Sequence, residues 1–319
     1  MFKAAQRALA ITALSALALT AQPATAAEFI TIGGGSTGGT FFTISAGMAR
    51  VIEQNVPDVK ATARVTAATT ENTRLLGQDK IEFALAAASG PYAAAQGLSP
   101  FEGEVYDNVR YIATGYSSPF QIVVEADSPI KSISDFADKR IGVLVGITAQ
   151  EWFPRVAEVY GVKGKFEEFQ LRAAELMTSL RDGNIDAAVY SGAAPTSAIT
   201  DLATAKSVRF LPIEESKAKE VMKTHPFFFI DSLKAGTYPG LDSSVTTLFN
   251  PILMVTRAGV SEDLVYQVTK ALLETNRDDF TAIHPNAAQF SVENAGKSMV
   301  VPIHPGAAKF YAEKGVTLN

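Results

Sequence analysis

Gly33-Gly34-Gly35-Ser36-Thr37-Gly38-Gly39-Thr40 stands between a short β-run, Phe29–Ile32, and a stretch with Phe41, Ile44, Met48 and Val51 at helical spacing. The run contains G-x-G-x-x-G at Gly33, Gly35 and Gly38, so a dinucleotide site must be weighed. The acidic residue that such a site needs, roughly 20 residues on at the end of a second strand, is missing; Glu53 lies inside the helix instead. A phosphate-cradling loop with a lysine is excluded, because no Lys follows the glycines. Anion binding remains: a helix N-terminus presents N–H groups without intrahelical partners and a partial positive charge, and Ser36, Thr37 and Thr40 add hydroxyl donors. The plainer alternative is a tight turn with ordinary hydroxyl capping.

Other chemistry is scarce. The 319 residues include no Cys, which removes thiol catalysis, disulfides and thiolate metal sites. The three His (His225, His284, His304) are each followed by Pro, read here as structural, so neither a metal site nor a cofactor is expected. No G-x-S-x-G elbow and no H-E-x-x-H helix is present, and no His falls in the loops that carry the other candidates, so no catalytic residue is assigned. With 28 Lys+Arg against 33 Asp+Glu there is no positive surplus for nucleic acid. A composition 47% hydrophobic and 19% charged is that of a folded globular protein.

The elements that must position these residues alternate. Strands are expected at Phe29–Ile32, Lys60–Thr66, Ile81–Ala86, Gln121–Glu125, Arg140–Val145, Ile185–Tyr190, Val208–Leu211 and Ile252–Thr256, with helical patterns between most of them. Such alternation implies mostly parallel sheets with helices on both faces. Leu76-x4-Ile81-Glu82-x-Ala84 repeats as Leu180-x4-Ile185-Asp186-x-Ala188, each followed by Ser-Gly (Ser89-Gly90, Ser191-Gly192) and a Pro-started helix (Pro91, Pro195). Ligands bind at the carboxyl ends of parallel strands, so both Ser-Gly loops are candidates for one shared cleft. At the N-terminus, Lys3 and Arg7 precede the apolar or small stretch Ala8–Ala21 and then Ala24-Thr25-Ala26, which reads as a secretory signal peptide cut after Ala26.

At the glycine loop a resemblance becomes specific. ITIGGGSTGGTFF resembles the opening of the TAXI family of solute receptors of TRAP transporters, as do ATTENTRLLGQDKIEFALAAAS, SPFQIVVEADSPIKSISDFADKRIGV, LRDGNIDAAVYSGAAPTSAI, KAGTYPG and VPIHPGAAKFY, in order along the mature chain. The resemblance implies a periplasmic, two-lobed binding fold that closes on a small organic acid, glutamate-like or a dicarboxylate or oxo acid. It also implies delivery of that ligand to a TRAP-type, ion-coupled membrane permease. One segment departs: where the family has a second glycine-rich loop, this chain has Val145-Gly146-Ile147-Thr148-Ala149-Gln150-Glu151-Trp152. Thr148 with Glu151 fits a capping box, but Pro154 then falls too early, so either the helix starts near Pro154 or its first turns are distorted.

The expected organisation is a signal peptide over 1–26, a first lobe of 27–124 plus 250–319, and a second lobe of 125–249, in a type II-like α/β binding fold acting as a monomer. The ligand-binding candidates are Ser36, Thr37, Gly38, Gly39, Thr40, Phe41, Thr70, Ser89, Tyr116, Thr148, Gln150, Ser191 and Gly192. Thr70 also suits a helix N-cap, Tyr116 a packed phenol, and Trp152 a core position. Other readings of the same pattern are a receptor for an ABC importer or a sensor, and an enzyme built on this fold.

Overall fold

The computed structural model describes residues 27–318; the expected signal peptide at 1–26 lies outside them. Two α/β lobes share one ten-stranded sheet. In the first, β1 (Glu28–Gly33) pairs in parallel with β2 (Val59–Arg64) and β3 (Phe83–Ala87). In the second, β5 (Arg140–Leu144) pairs in parallel with β6 (Glu167–Leu171) and β7 (Ala187–Ser191). The helices are α1 (Thr40–Asn55), α2 (Thr69–Gly77) and α3 (Ser89–Gln96) in the first lobe, then α4 (Phe153–Val159), α5 (Ala173–Arg181), α6 (Ser197–Ala205) and α7 (Glu215–Met222) in the second. The chain returns through α8 (Glu262–Lys270), α9 (Arg277–Thr281) and α10 (Pro305–Glu313). Among the described residues, no helix is long and apolar enough to cross a membrane.

Two long antiparallel strands, β4 (Val109–Glu125) and β10 (Val245–Arg257), run through both lobes. β10 pairs with β3 over Ile252–Thr256 and with β9 (Phe229–Leu233) over Val245–Phe249. β4 pairs with β10 from Val109 to Pro119, then with β7 from Phe120 and with β8 (Val208–Leu211) from Ile122. The exchange of partners in β4 therefore falls between Pro119 and Phe120, and position 124 lies inside the part held by β8. A register shift between Pro251 and Leu253 marks a bulge at the crossing, opposite Gly115 and Tyr116. Gly115 is needed there: a Cβ would sit 2.3 Å from the Phe290 ring, which lies against the strand.

Alternation along β4 sorts the core. Phe120, Ile122 and Val124 face a large cluster that includes Trp152, Phe153 and Val156, whereas Val123 faces a second cluster with Leu176, Leu180, Ile199 and Leu202. Helices thus cover both faces of the second lobe's sheet. The repeated units of the sequence are real structural equivalents. Glu82 Oε2 accepts the Thr31 N–H at 2.8 Å and Asp186 Oδ2 accepts the Arg140 N–H at 2.8 Å, each tying its turn to the adjacent central strand. Each carboxylate also pairs with an arginine, Glu82 with Arg257 and Asp186 with Arg140. The two units differ at their prolines: Pro91 lies in the first turn of α3, but Thr196 is the N-cap of α6 and Pro195 precedes it.

Burial pushes the Asp186 carboxyl up, but the bonds from the Arg140 side chain and N–H outweigh it and leave the pKa lowered. A lowered folded-state pKa stabilises above the unfolded value and is lost as pH falls through the folded one. Asp186→Ala should therefore cost about 1–3 kcal/mol at pH 7, in denaturant melts, with the difference from wild type shrinking below about pH 4. Equal stabilities at pH 7 would contradict this role.

Candidate functional site

The glycine loop is anchored from beneath. Gly34 donates to Arg64 O at 3.0 Å, and its own carbonyl accepts from Thr66 Oγ1 at 2.9 Å and from Asn72 Nδ2 at 2.7 Å. Asn72, fully buried, also donates to Leu85 O at 2.8 Å, so one side chain bridges the loop after β1 and the middle of β3. Beyond this anchor, Ser36, Thr37 and Gly38 are exposed, and a turn closes with Gly39 N–H on Ser36 O at 3.0 Å. Gly38 sits at φ +82, the left-handed region that favours glycine. Gly39 is an extended N-cap without any side-chain capping bond. The hydroxyl capping considered for this turn is therefore absent. Ser36, Thr37 and Thr40 make no side-chain hydrogen bond among the described residues, and the N–H groups of Thr40, Phe41 and Phe42 find no acceptor there.

Thr70 is not an N-cap. Helix α2 starts at Thr69 with Ala68, at φ 65, as the cap. No side chain caps this helix; Thr66 Oγ1 and Glu71 Oε2 instead hold the turn before it, accepting from the Ala68 and Ala67 N–H groups at 3.1 and 2.7 Å. Thr69 holds the β3–α3 junction by accepting the Ala87 N–H at 3.0 Å.

Between the lobes, the crossing strands carry a polar seam. Ser118 lies directly opposite Asn250, and Asn250 Nδ2 donates to Ser89 Oγ at 3.2 Å, both residues being fully buried. Phe120 lies opposite Ser191 on the same face. Its ring meets Trp152 at 6.0 Å and Phe228 at 5.6 Å. Tyr116 is buried, with Phe41 edge-on at 6.5 Å and Phe290 at 6.4 Å, and burial raises its phenol pKa well above the usual range. Asn250 Oδ1, Ser191 Oγ, Trp152 Nε1 and Glu151 Oε2 are buried without a hydrogen-bond partner among the described residues. Buried polar atoms in folded proteins almost always have one.

The atypical segment forms a π-helical turn, Thr148–Trp152, leading into α4, with Ile147 as cap and Pro154 in the first turn. The first turns are thus distorted, and Thr148 and Glu151 form no capping box. Thr148 is buried and Gln150 exposed. Burial, with the charge of Glu102 in the first lobe, pushes the Glu151 carboxyl up to about 7. His225 Nε2 stands 3.9 Å from Glu151 Oε1 and is pushed down to about 4, by burial and then by the charge of Arg155. The other histidines are caps: His284 Nδ1 accepts from Asn286 N and His304 Nδ1 from Gly306 N.

Gly192 is held structurally. Gln121 Nε2 donates to its carbonyl at 3.1 Å; Tyr238 OH donates to Gln121 Oε1 at 2.5 Å and accepts the Thr196 N–H at 2.9 Å. Tyr238 therefore ties the 192–196 loop to β4, a role that the sequence Thr237-Tyr238-Pro239-Gly240 did not reveal. Ser36 to Phe41, Thr70 and Ser89 fall on the first lobe, Tyr116 on the crossing, and Thr148, Gln150, Ser191 and Gly192 on the second. Phe41 meets Tyr116 and Ser89 meets Asn250; among the described residues no hydrogen bond joins the glycine loop to the four second-lobe candidates. None of the thirteen lines a cavity of about 710 Å³ that lies elsewhere on the crossing strands. Sequence reasoning missed Ser118, Gln121 and Asn250, although a lone Asn in Leu248-Phe249-Asn250-Pro251-Ile252-Leu253 is a visible signal. Among the described residues no cluster of three or more acidic or His side chains could hold a metal.

The model of the NMT1-like family matches residues 32–315. The chain belongs to the NMT1-like family. Among solved structures, this NMT1-like chain is similar to XAC2383 from Xanthomonas citri, bound to chloride ion (TM-score 0.53, 8% identity, 89% of this chain and 95% of that one). The ATP-bound form of XAC2383 gives TM-score 0.51 at 11% identity, covering 90% and 95%. The periplasmic aliphatic sulphonate binding protein SsuA from Escherichia coli gives 0.48 at 15%, covering 89% and 78%. At these identities the likeness to XAC2383 is one of fold.

Trp152 is the chain's one tryptophan and adjoins Glu151. Its fluorescence should titrate near pH 7, and the step should vanish in Glu151→Gln. A step that persists in the variant would assign the titration to another group.

Proposed function

We propose that this NMT1-like protein is an extracytoplasmic solute receptor, exported by its signal peptide and cleaved near Ala26, whose lobes, 27–124 plus 250–319 and 125–249, close on a small organic anion. It works as a monomer, without metal or cofactor, and delivers its ligand to a TRAP-type ion-coupled permease. The observation that carries the reading is the set of buried, unpartnered polar atoms at the seam: Asn250 Oδ1, Ser191 Oγ, Trp152 Nε1 and Glu151 Oε2. Leaving such groups unpaired costs about 1–3 kcal/mol each, a cost that a ligand bonded to them removes.

The chemistry of the set favours an acid carrying a second polar group. Trp152 and Ser191 offer donors, as do the open N–H groups of Thr40, Phe41 and Phe42 at the positive end of α1. Asn250 Oδ1 accepts, and suits an amino or hydroxyl group. A glutamate-like amino acid, a dicarboxylate or an oxo acid meets these demands. In this reading Ser36, Thr37, Gly38, Gly39, Thr40, Phe41, Thr70 and Ser89 form one wall, Tyr116 the floor, and Thr148, Gln150, Ser191 and Gly192 the other wall. Closure excludes water, so each polar contact counts for more. The TRAP assignment rests on the motif resemblance from Ile30 to Tyr311.

A thermal-shift screen tests the ligand class. A true ligand at 100 times its dissociation constant stabilises by about 2.7 kcal/mol, and that response should come from small carboxylates. A response only to sugars, nucleotides or cations would overturn the reading. For the carboxylate found, calorimetry on Thr37→Ala and Ser191→Ala should each show a loss of ~1.5–3 kcal/mol, with apo melts unchanged for the exposed Thr37. Unchanged affinity in both variants would remove these residues from the site.

A further inference from the structure

The two faces of the crossing strands are chemically different. Pairing puts Ser118, Phe120 and Asn250 on one face and Ser117, Pro119 and Phe249 on the other. The second face forms the floor of the cavity of about 710 Å³. Its walls come from both lobes: β9 with the turn after it on one side, and the segment Gln289–Ser298 on the other. The cavity therefore lies behind the strands, away from the seam of unpartnered polar atoms, and the proposed solute site does not account for it.

Two features define what it would accept. The rings of Phe229 and Phe249, directly paired across β9 and β10, stand 5.6 Å apart with 28° between their planes, and both line the cavity. They present a flat apolar wall, extended by Pro119 and Leu233. The charge at the rim is unbalanced. Asp231 is matched by Lys234 at 3.5 Å, whereas Lys297 Nζ meets only the neutral Asn294 Oδ1, at 2.7 Å, and has no carboxylate partner among the described residues. An apolar wall facing an uncompensated ammonium group calls for an amphipathic anion.

We propose that this rear cavity is a second binding site, for an aromatic monocarboxylate whose ring lies against Phe229 and Phe249 and whose carboxylate pairs with Lys297. A ligand there touches both lobes and the strands that join them, so its occupancy is linked to their relative position.

Calorimetry on the full mature chain with 3-phenylpropanoate tests this, with 3-phenylpropanamide and 3-phenylpropylamine as neutral and cationic controls. The acid should bind with one equivalent, and the amide and amine at least about tenfold more weakly, the scale of a lost charged hydrogen bond. Lys297→Gln, an exposed change that leaves the fold intact, should weaken the acid by a similar factor. Phe229→Leu should weaken all three compounds alike. Ser191→Ala, on the other face, should leave the affinity for the acid within twofold. Absence of binding at millimolar concentration, indifference to Lys297→Gln, or loss of binding in Ser191→Ala would each overturn the proposal; the last would place the probe in the front seam.

Discussion

The register of β4 against β10 is the constraint on which the molecule depends. These strands run through both lobes with partners on both sides, so each residue of the crossing belongs to two packing problems at once. Placing Ser118 opposite Asn250 sends both toward the front seam, and the same register sends Ser117, Pro119 and Phe249 to the rear. A slip by one residue would exchange the faces and drive Phe120 away from Trp152 and Phe228. The bulge opposite Ile252 and the absence of a side chain at Gly115 accommodate the crossing, and the Phe290 ring packs against that gap. Strand register thus decides where polar groups are buried, and buried polar groups decide where a ligand is worth binding.

Carboxylates elsewhere serve the frame. Glu82 and Asp186 occupy matching turns and make matching bonds to the neighbouring strand's backbone. Their charges are already answered by Arg257 and Arg140, which leaves no chemistry over for a substrate. Glu151 is the contrast. It is shielded from water, faces the charge of Glu102 across the lobes, and has in His225 only a weakly basic neighbour. Near neutral pH it holds or releases a proton with little bias, so it can donate to a ligand or accept from one. The π-helical turn Thr148–Trp152 carries it beside the Trp152 ring.

Much of the architecture was legible because parallel strands and amphipathic helices leave strong periodic patterns. Phe83–Ala87 is an apolar run buried throughout, Ile30–Gly33 and Ala187–Ser191 are buried but for Thr31 and Tyr190, and the repeated Leu–Ile–acid spacing marked true equivalents. Glu167–Leu171, Phe229–Leu233 and the parts of β4 and β10 before Gln121 and Ile252 gave no such signal. Glu167–Leu171 lies at the sheet edge, largely exposed, so its charges obey no inside–outside rule. The part of β4 paired with β10 contains Gly115, Ser117, Ser118 and Pro119, turn-forming types retained because the strand bulges and changes partners there. The site was harder to read for a related reason. Local rules assigned Thr70 to a cap, whereas no side chain caps that helix and Thr66 and Glu71 hold the turn before it. Asn250 and Gln121 acquire their roles from residues 161 and 117 positions away, Ser89 and Tyr238, and no local pattern encodes that.

The central claim is that the buried, unpartnered atoms at the seam hold a small organic anion between the lobes. Native mass spectrometry of protein purified from the periplasm, followed by identification of what is released on denaturation, addresses it most directly. The account predicts one equivalent of a small carboxylic acid on the wild-type chain, with that mass absent from a Ser191→Val, Asn250→Leu double variant that still folds. A neutral sugar or a cation in its place, or an acid retained equally by the double variant, would contradict it.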